Sequence, residues 1–223
     1  MPRVSAVPAA GYIRAVARPE WRDAGRNRID ETRPMTLPSR DDALALMHQH
    51  VQSESLRRHM YAVEAACRAY ARRFGEDEEL YGLAGLLHDF DYEEFPDEHP
   101  GRGVEMLRER GYPDELLHAV QAHYAARTGV SPETRLDRTL HACDEITGLV
   151  TAAALVRPSR SVMDLEAKSV LKKMKDRQFA AGVDREDVRH AAEELGVDLA
   201  EHVEYVIQAM RGVAPQLGLA GTA

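Results

Sequence analysis

From Ser39 onward apolar residues recur at intervals of three and four, and no stretch alternates as a half-buried strand would. Ser39 is placed to cap a short helix running through Val51. Ser53 or Ser55 can cap the next, whose stripe of Leu56, Met60, Val63, Cys67, Tyr70 and Phe74 stops at Gly75. Asp77 opens a third helix, with Leu80, Leu83, Ala84 and Leu87 facing inward, and this one ends at His88 and Asp89. Residues 90–98 read as a loop. Pro100 and Pro113 suit the first positions of two more helices, the first closing at Gly111 and the second carrying Leu116, Ala119, Val120 and His123 on one stripe. A long helix is expected over roughly 136–156, ended by Pro158, and three more at about 164–176, 184–195 and 198–212. The pattern predicts an all-α fold: a helical bundle over residues 38–156, with residues 157–213 packing on the same domain.

The first 34 residues break this pattern. Seven arginines, four acids and four prolines stand there without a sustained apolar period. That composition predicts a disordered or non-native extension, with Met35 as an alternative start of translation. Over the whole chain the net charge of -8 argues against extended nucleic-acid or anionic-membrane binding, and aromatics at 6% leave few stacking platforms for single strands. No apolar run is long enough to span a bilayer. Cys67 and Cys143 both fall inside apolar helical stripes and read as buried thiols of a reducing, cytoplasmic compartment. The sequence leaves the oligomeric state open.

The chemistry gathers around His88 and Asp89, an imidazole and a carboxylate side by side at a helix end. His59 shares the face of Val63 and Tyr70, His123 lies on its helix's apolar stripe, and Asp144 follows Leu140 by one turn on a face that should be core. His99 stands in the loop region between them. Any one of these alone is most simply a hydrogen-bonded core residue. Together, burying so many polar groups costs several kcal/mol unless each finds a partner, and divalent cations would partner all of them. Four donors, His59, His88, Asp89 and Asp144, suffice for one ion. Adding His99 and His123 makes a set for two, with Asp89 as the bridge. The imidazole–carboxylate set without thiolate favours Fe or Mn, and Mg, Co, Ni and Zn also fit. His118 points off its stripe; His48, His50, His190 and His202 read as ordinary surface or boundary residues.

The order His59, then His88-Asp89, then Asp144 resembles the motif of the HD superfamily of metal-dependent phosphohydrolases, over about residues 40–156. His99 in "EHPGRG" and His123 in "HAVQAHY" look like the two extra histidines of its two-metal branches, although His99 follows Asp89 more closely than in several of those. The stretch "LLHDFDYEEFP" resembles a subgroup described as predicted HD hydrolases. The resemblance implies an HD-type helical core that binds one or two divalent ions. It also implies hydrolysis of a phosphate ester or anhydride of a small, nucleotide-like molecule by a metal-bound hydroxide, with His88, Asp89 and Asp144 as the catalytic centre. His141 and Glu145 are candidates for the general acid by their closeness to Asp144. Two alternatives stand beside this: an HD-type diiron oxygenase acting on a small polar or phosphonate substrate, and a non-catalytic nucleotide-binding module.

The chain has only four lysines, Lys168, Lys172, Lys173 and Lys175, all within eight positions. Lys168, Lys172 and Lys175 share a helical face, flanked by Arg157, Arg160 and Arg177. Clustered ammonium groups repel one another unless an anion relieves them. Two readings follow: a segment folded over the metal site in which Lys168, Lys172 and Arg157 bind substrate phosphate, or a solvated helix face with its cations near the C-terminus.

Overall fold

Short polar side chains fix where the first three helices begin. The computed structural model describes residues 37–176 and 178–221; the expectations for residues 1–34 lie outside the described residues. Helix α1 (Arg40–His50) starts at Ser39, whose hydroxyl accepts from the Asp42 N–H while the Asp42 carboxylate accepts from the Ser39 N–H. Ser53 caps α2 (Glu54–Phe74) by accepting from the Leu56 N–H, and Gly75 closes it in the left-handed conformation at φ 72°. Asp77 caps α3 (Glu78–Leu87) by accepting from the N–H groups of Glu79 and Leu80. Each such cap stabilises its helix by about 1 kcal/mol.

Next come α4 (Gly101–Glu109), α5 (Asp114–Ala122), α6 (Ala125–Thr128), α7 (Arg135–Leu155), α8 (Ala167–Lys173), α9 (Arg185–Leu195), α10 (Leu199–Gly212) and α11 (Ala214–Leu217). Pro100 and Pro113 sit just before α4 and α5 rather than inside them. The helix expected over 164–176 is shorter, and its flanks are turns. Helices α6 and α11 were not expected: at four residues each they are too short to carry a period. Among the described residues the only strand-like pairing is an isolated bridge between Ser161 and Ala220.

Helix α7 runs through the middle, touching α2, α3, α5, α8, α9 and α10. The expected stripe of α2 is its buried face, with Met60, Val63, Cys67 and Tyr70 fully enclosed. A leucine-sized side chain removed from water in this way contributes roughly 1.5–3 kcal/mol. Helices α2 and α3 approach so closely that a Cβ on Gly85 would stand 2.9 Å from the Glu64 backbone. This contact brings the end of α3 against the His59 side of the core.

His202 is a correction. It is fully buried rather than at the surface: its Nε2–H donates to the Ala142 carbonyl at 2.8 Å and its Nδ1 accepts from the Tyr70 hydroxyl at 2.6 Å. Burial pushes its pKa down to about 4. No described helix is long and apolar enough to cross a membrane.

Candidate metal centre

Two helices end in histidines that serve their own termini. The last carbonyls of a helix lack partners. Beyond α3, His88 Nδ1 lies 2.9 Å from the Gly85 carbonyl; beyond α5, His123 Nδ1 lies 2.5 Å from that of Val120. A carbonyl only accepts, so each Nδ1 carries the proton and each Nε2 is left with a free lone pair. His99 reaches the same state by another route. Its Nδ1 stands 2.7 Å from Asp91 Oδ1, while Asp91 Oδ2 accepts the Gly103 N–H at 2.6 Å. Tying the outer nitrogen in this way fixes the tautomer and ring orientation of a metal-binding histidine.

The freed nitrogens converge on Asp89 from both sides. One Asp89 oxygen, Oδ1, lies 3.3 Å from His99 Nε2 and 3.5 Å from His123 Nε2. The other, Oδ2, lies 3.4 Å from His88 Nε2 and 3.9 Å from His59 Nε2. Asp144 Oδ1 completes that second side, 3.0 Å from His59 Nε2 and 3.5 Å from His88 Nε2. Two groups of donors thus share Asp89: His59, His88 and Asp89, and Asp89, His99 and His123. Donors bound to one first-row ion at 2.0–2.2 Å stand about 3–4 Å apart, which is the spacing found here.

The electrostatics call for cations. Burial disfavours charge on His88, yet Asp89 and Asp144 outweigh it and hold its pKa well above the ordinary histidine value. Burial would raise Asp89, but His88 and His123 hold it well below the usual carboxylate range. Asp144 is held low by His88 and His59 against the same burial. The positive charge that keeps these two carboxylates ionised is here that of the histidines, and a divalent ion held by the neutral rings would supply it in their place. The nitrogen and oxygen donors present fit a divalent metal ion on either side of Asp89.

A cleft of about 780 Å³ opens over this cluster. His59, Asp89, His99, His123 and Asp144 line it, and His88 lies behind them, fully buried. Tyr92 and Tyr124 stand on the cleft, 49% and 41% exposed. The rest of its polar lining comes from α7, from α9 and from the residue that caps α9: His141, Glu145, Asp184, Asp187, His190 and Glu194. Burial, with Asp144 and Asp187 nearby, pushes Glu145 up to about 7. Burial lowers His141, but the Asp187 carboxylate outweighs it and raises the pKa overall.

No described lysine or arginine lines this cleft, and that corrects the expectation for the lysine segment. Lys168 is paired with Glu166 at 2.6 Å and its side chain is 81% exposed. Arg157 is paired with Asp164 at 2.8 Å. With Lys172 it borders a separate cleft of about 460 Å³ beyond the end of α7. The twelve residues from Asp144 to Val156 put that end roughly 18 Å along the axis from the metal-side acids. The segment does not fold over the site.

His118 pairs with Asp137 at 2.9 Å, away from the cleft. His190, read as an ordinary surface residue, is on the cleft wall. Two features escaped the sequence reading: Asp91, and the α9 face on which Asp187 and Glu194 stand beside His190. Their three- and four-residue spacing places the latter on one side of the helix, but a polar stripe of that kind also describes a solvated face. Asp91 had one signal, its place two residues after Asp89.

The family model for the HD domain matches residues 56–149, from the first turn of α2 into the second half of α7. Three curated relatives match the chain, each bearing the name Ribonuclease Y. The one from Desulfotalea psychrophila is 26% identical over 159 residues, 68% of this chain and 28% of the relative. Those from Lawsonia intracellularis and Rhodopirellula baltica are each 29% identical, covering 46% and 52% of this chain and 20% and 23% of their own lengths. The chain therefore corresponds to less than a third of each of these proteins.

Proposed function

The chain carries an HD domain over residues 56–149, and from that premise we propose that it is a phosphohydrolase acting on a phosphate ester or anhydride of a small molecule. The observation that carries this reading is Asp89, whose two oxygens each face a separate pair of histidine Nε2 atoms. In this reading His59, His88, Asp89 and Asp144 hold one divalent ion, and Asp89, His99 and His123 the second. When bound, such ions lower the pKa of a coordinated water and offset charge on the phosphoryl oxygens.

In the reaction a water oxygen bonds to phosphorus, the bond from phosphorus to the leaving oxygen breaks, and a proton passes to that oxygen. Of the two candidates, Glu145 lines the cleft beside Asp144 and is placed to deliver the proton, whereas His141 is engaged by Asp187 at 3.2 Å. His88 and Asp144 act by fixing the donor geometry around Asp89. A nucleotide-like compound is one member of the substrate class, and the exposed faces of Tyr92 and Tyr124 offer surfaces on which its ring could stack. RNA, which the relatives' name suggests, fits less well. The cleft has no described lysine or arginine to meet a chain of phosphates. The free, buried thiols of Cys67 and Cys143 support a cytoplasmic setting.

Phosphate release from a panel of nucleotides and sugar phosphates tests the proposal, using protein purified without chelator. Release should stop on chelation and return with Mn or Fe. No release from any compound, with metal restored, contradicts it. The four-imidazole, two-carboxylate set also suits iron, which keeps a diiron oxygenase as the second reading; full turnover with Mn or Mg in the absence of oxygen excludes that one.

A further inference from the structure

We propose that the substrate carries a cationic amine beyond its phosphate, and that Asp187 and Glu194 on the α9 side of the cleft bind it together with His141. This rests on the phosphohydrolase reading and narrows it to phosphorylated amines.

The cleft lining is strongly acidic. Six carboxylates line it, those of Asp89, Asp144, Glu145, Asp184, Asp187 and Glu194, and no described lysine or arginine does. Asp89 and Asp144 face the histidines that would share ions with them. Asp184 is occupied in capping α9, accepting from the N–H groups of Glu186 and Asp187. Asp187 and Glu194 have no such employment in the backbone. They stand seven residues apart on one face of α9, both turned to the cleft.

A second observation points to a ligand at this wall. His141 is 9% exposed, and its Nδ1 is a buried atom without a hydrogen-bond partner. Its Nε2 faces Asp187 Oδ2 at 3.2 Å, so the carboxylate takes the Nε2–H and Nδ1 of the neutral ring is an acceptor. The nearest acid to Nδ1 is Glu194 Oε2, at 3.8 Å, too far for a direct hydrogen bond. His190 Nε2 stands 3.5 Å from the other Glu194 oxygen. A buried acceptor beside an acceptor carboxylate lacks a donor. An ammonium group has three N–H bonds and no acceptor, so it can serve Nδ1 and Glu194 at once. The surrounding acids otherwise favour a second proton on this ring, and a bound ammonium supplies that positive charge in its place. Nucleoside polyphosphates would instead bring further negative charge against Asp187 and Glu194.

The test compares kcat/KM for a short series of ω-aminoalkyl phosphates with the matching ω-hydroxyalkyl phosphates, with p-nitrophenyl phosphate as a reference. The amines should be preferred by about tenfold or more, because a site built to bind a polar group rejects an analogue lacking it. In an Asp187→Asn, Glu194→Gln variant whose circular dichroism matches the parent, the preference should fall toward one. Equal rates on both series in the parent protein overturn the inference while leaving the hydrolase reading standing. So does loss of a bound metal equivalent in the variant, which would make this wall a cation site. Failure to hydrolyse any of the three kinds of ester, with phosphate still released from the nucleotide and sugar-phosphate panel, overturns this inference alone; failure on that panel as well removes the hydrolase reading and this inference with it.

Discussion

Asp91 Oδ1 lies 2.7 Å from Nδ1 of His99, and both side chains are almost wholly buried. The other Asp91 oxygen accepts the Gly103 N–H, in a space so tight that a Cβ on Gly103 would stand 2.7 Å from the Asp91 carboxyl carbon. Asp91 therefore ties the loop after α3 to the start of α4 and turns His99 Nε2 toward Asp89. In Asp91→Asn one of these two bonds is lost, since an amide nitrogen cannot accept. The ion between Asp89, His99 and His123 should weaken by about 10–100-fold, the usual effect of losing such a partner. The ion beside His59 and His88 should change far less. Stepwise metal titration by calorimetry separates the two; equal weakening of both steps contradicts the arrangement.

Gly85 supplies two things at once: a carbonyl for His88 Nδ1 and room for the α2 backbone. A Cβ there would meet backbone rather than a flexible side chain, so α3 has to shift. Gly85→Ala should cost roughly 1–3 kcal/mol in denaturant unfolding, the usual range for overpacking, and should reduce bound metal by moving His88. Parental stability together with full metal content would show that the helices do not pack as described.

His202 makes stability depend on pH. Its folded pKa of about 4 lies below the ordinary value near 6.5, so the unfolded chain binds the extra proton more readily. Its contribution is complete above about pH 6.5, drains away as pH falls toward 4, and amounts to on the order of 3 kcal/mol. Urea unfolding of the parent and of His202→Gln across that range isolates it. Gln can donate to Ala142 and accept from Tyr70 without titrating, so the variant's profile should be flatter; parallel profiles count against a neutral buried imidazole.

Lys168→Ala, Lys172→Ala should leave KM for a phosphorylated substrate within about twofold of the parent, because neither ammonium lines the cleft over the metal-side residues. A tenfold or larger rise in KM would restore the reading in which this segment closes over the site.

Helix starts were legible because Ser39, Ser53 and Asp77 are short polar residues just ahead of apolar stripes, and those stripes are buried. The convergence of His59, His88, Asp89 and Asp144 could be anticipated because each sits on or at the end of a periodic helix. Asp91 could not, since a loop has no period to show which way a side chain points. The α9 wall escaped for a related reason: Asp187, His190 and Glu194 face a cleft only because α9 crosses α7, a tertiary fact. His202 was misjudged because its partners, Tyr70 and Ala142, are 132 and 60 residues away in sequence. The lysine cluster shows the reverse error, in which charges notable for being neighbours in the chain lie at the wrong end of α7.

The central claim is that Asp89 is shared by two ions. Crystals of the protein grown with Mn²⁺, with diffraction recorded at the manganese absorption edge, test it most directly. Two anomalous peaks are expected about 3.5–4 Å apart, one on the His59, His88 and Asp144 side of the Asp89 carboxylate and one on the His99 and His123 side. Both should be absent from Asp89→Ala crystals of the same fold. Peaks elsewhere, or none near Asp89 in the parent protein, would contradict the account.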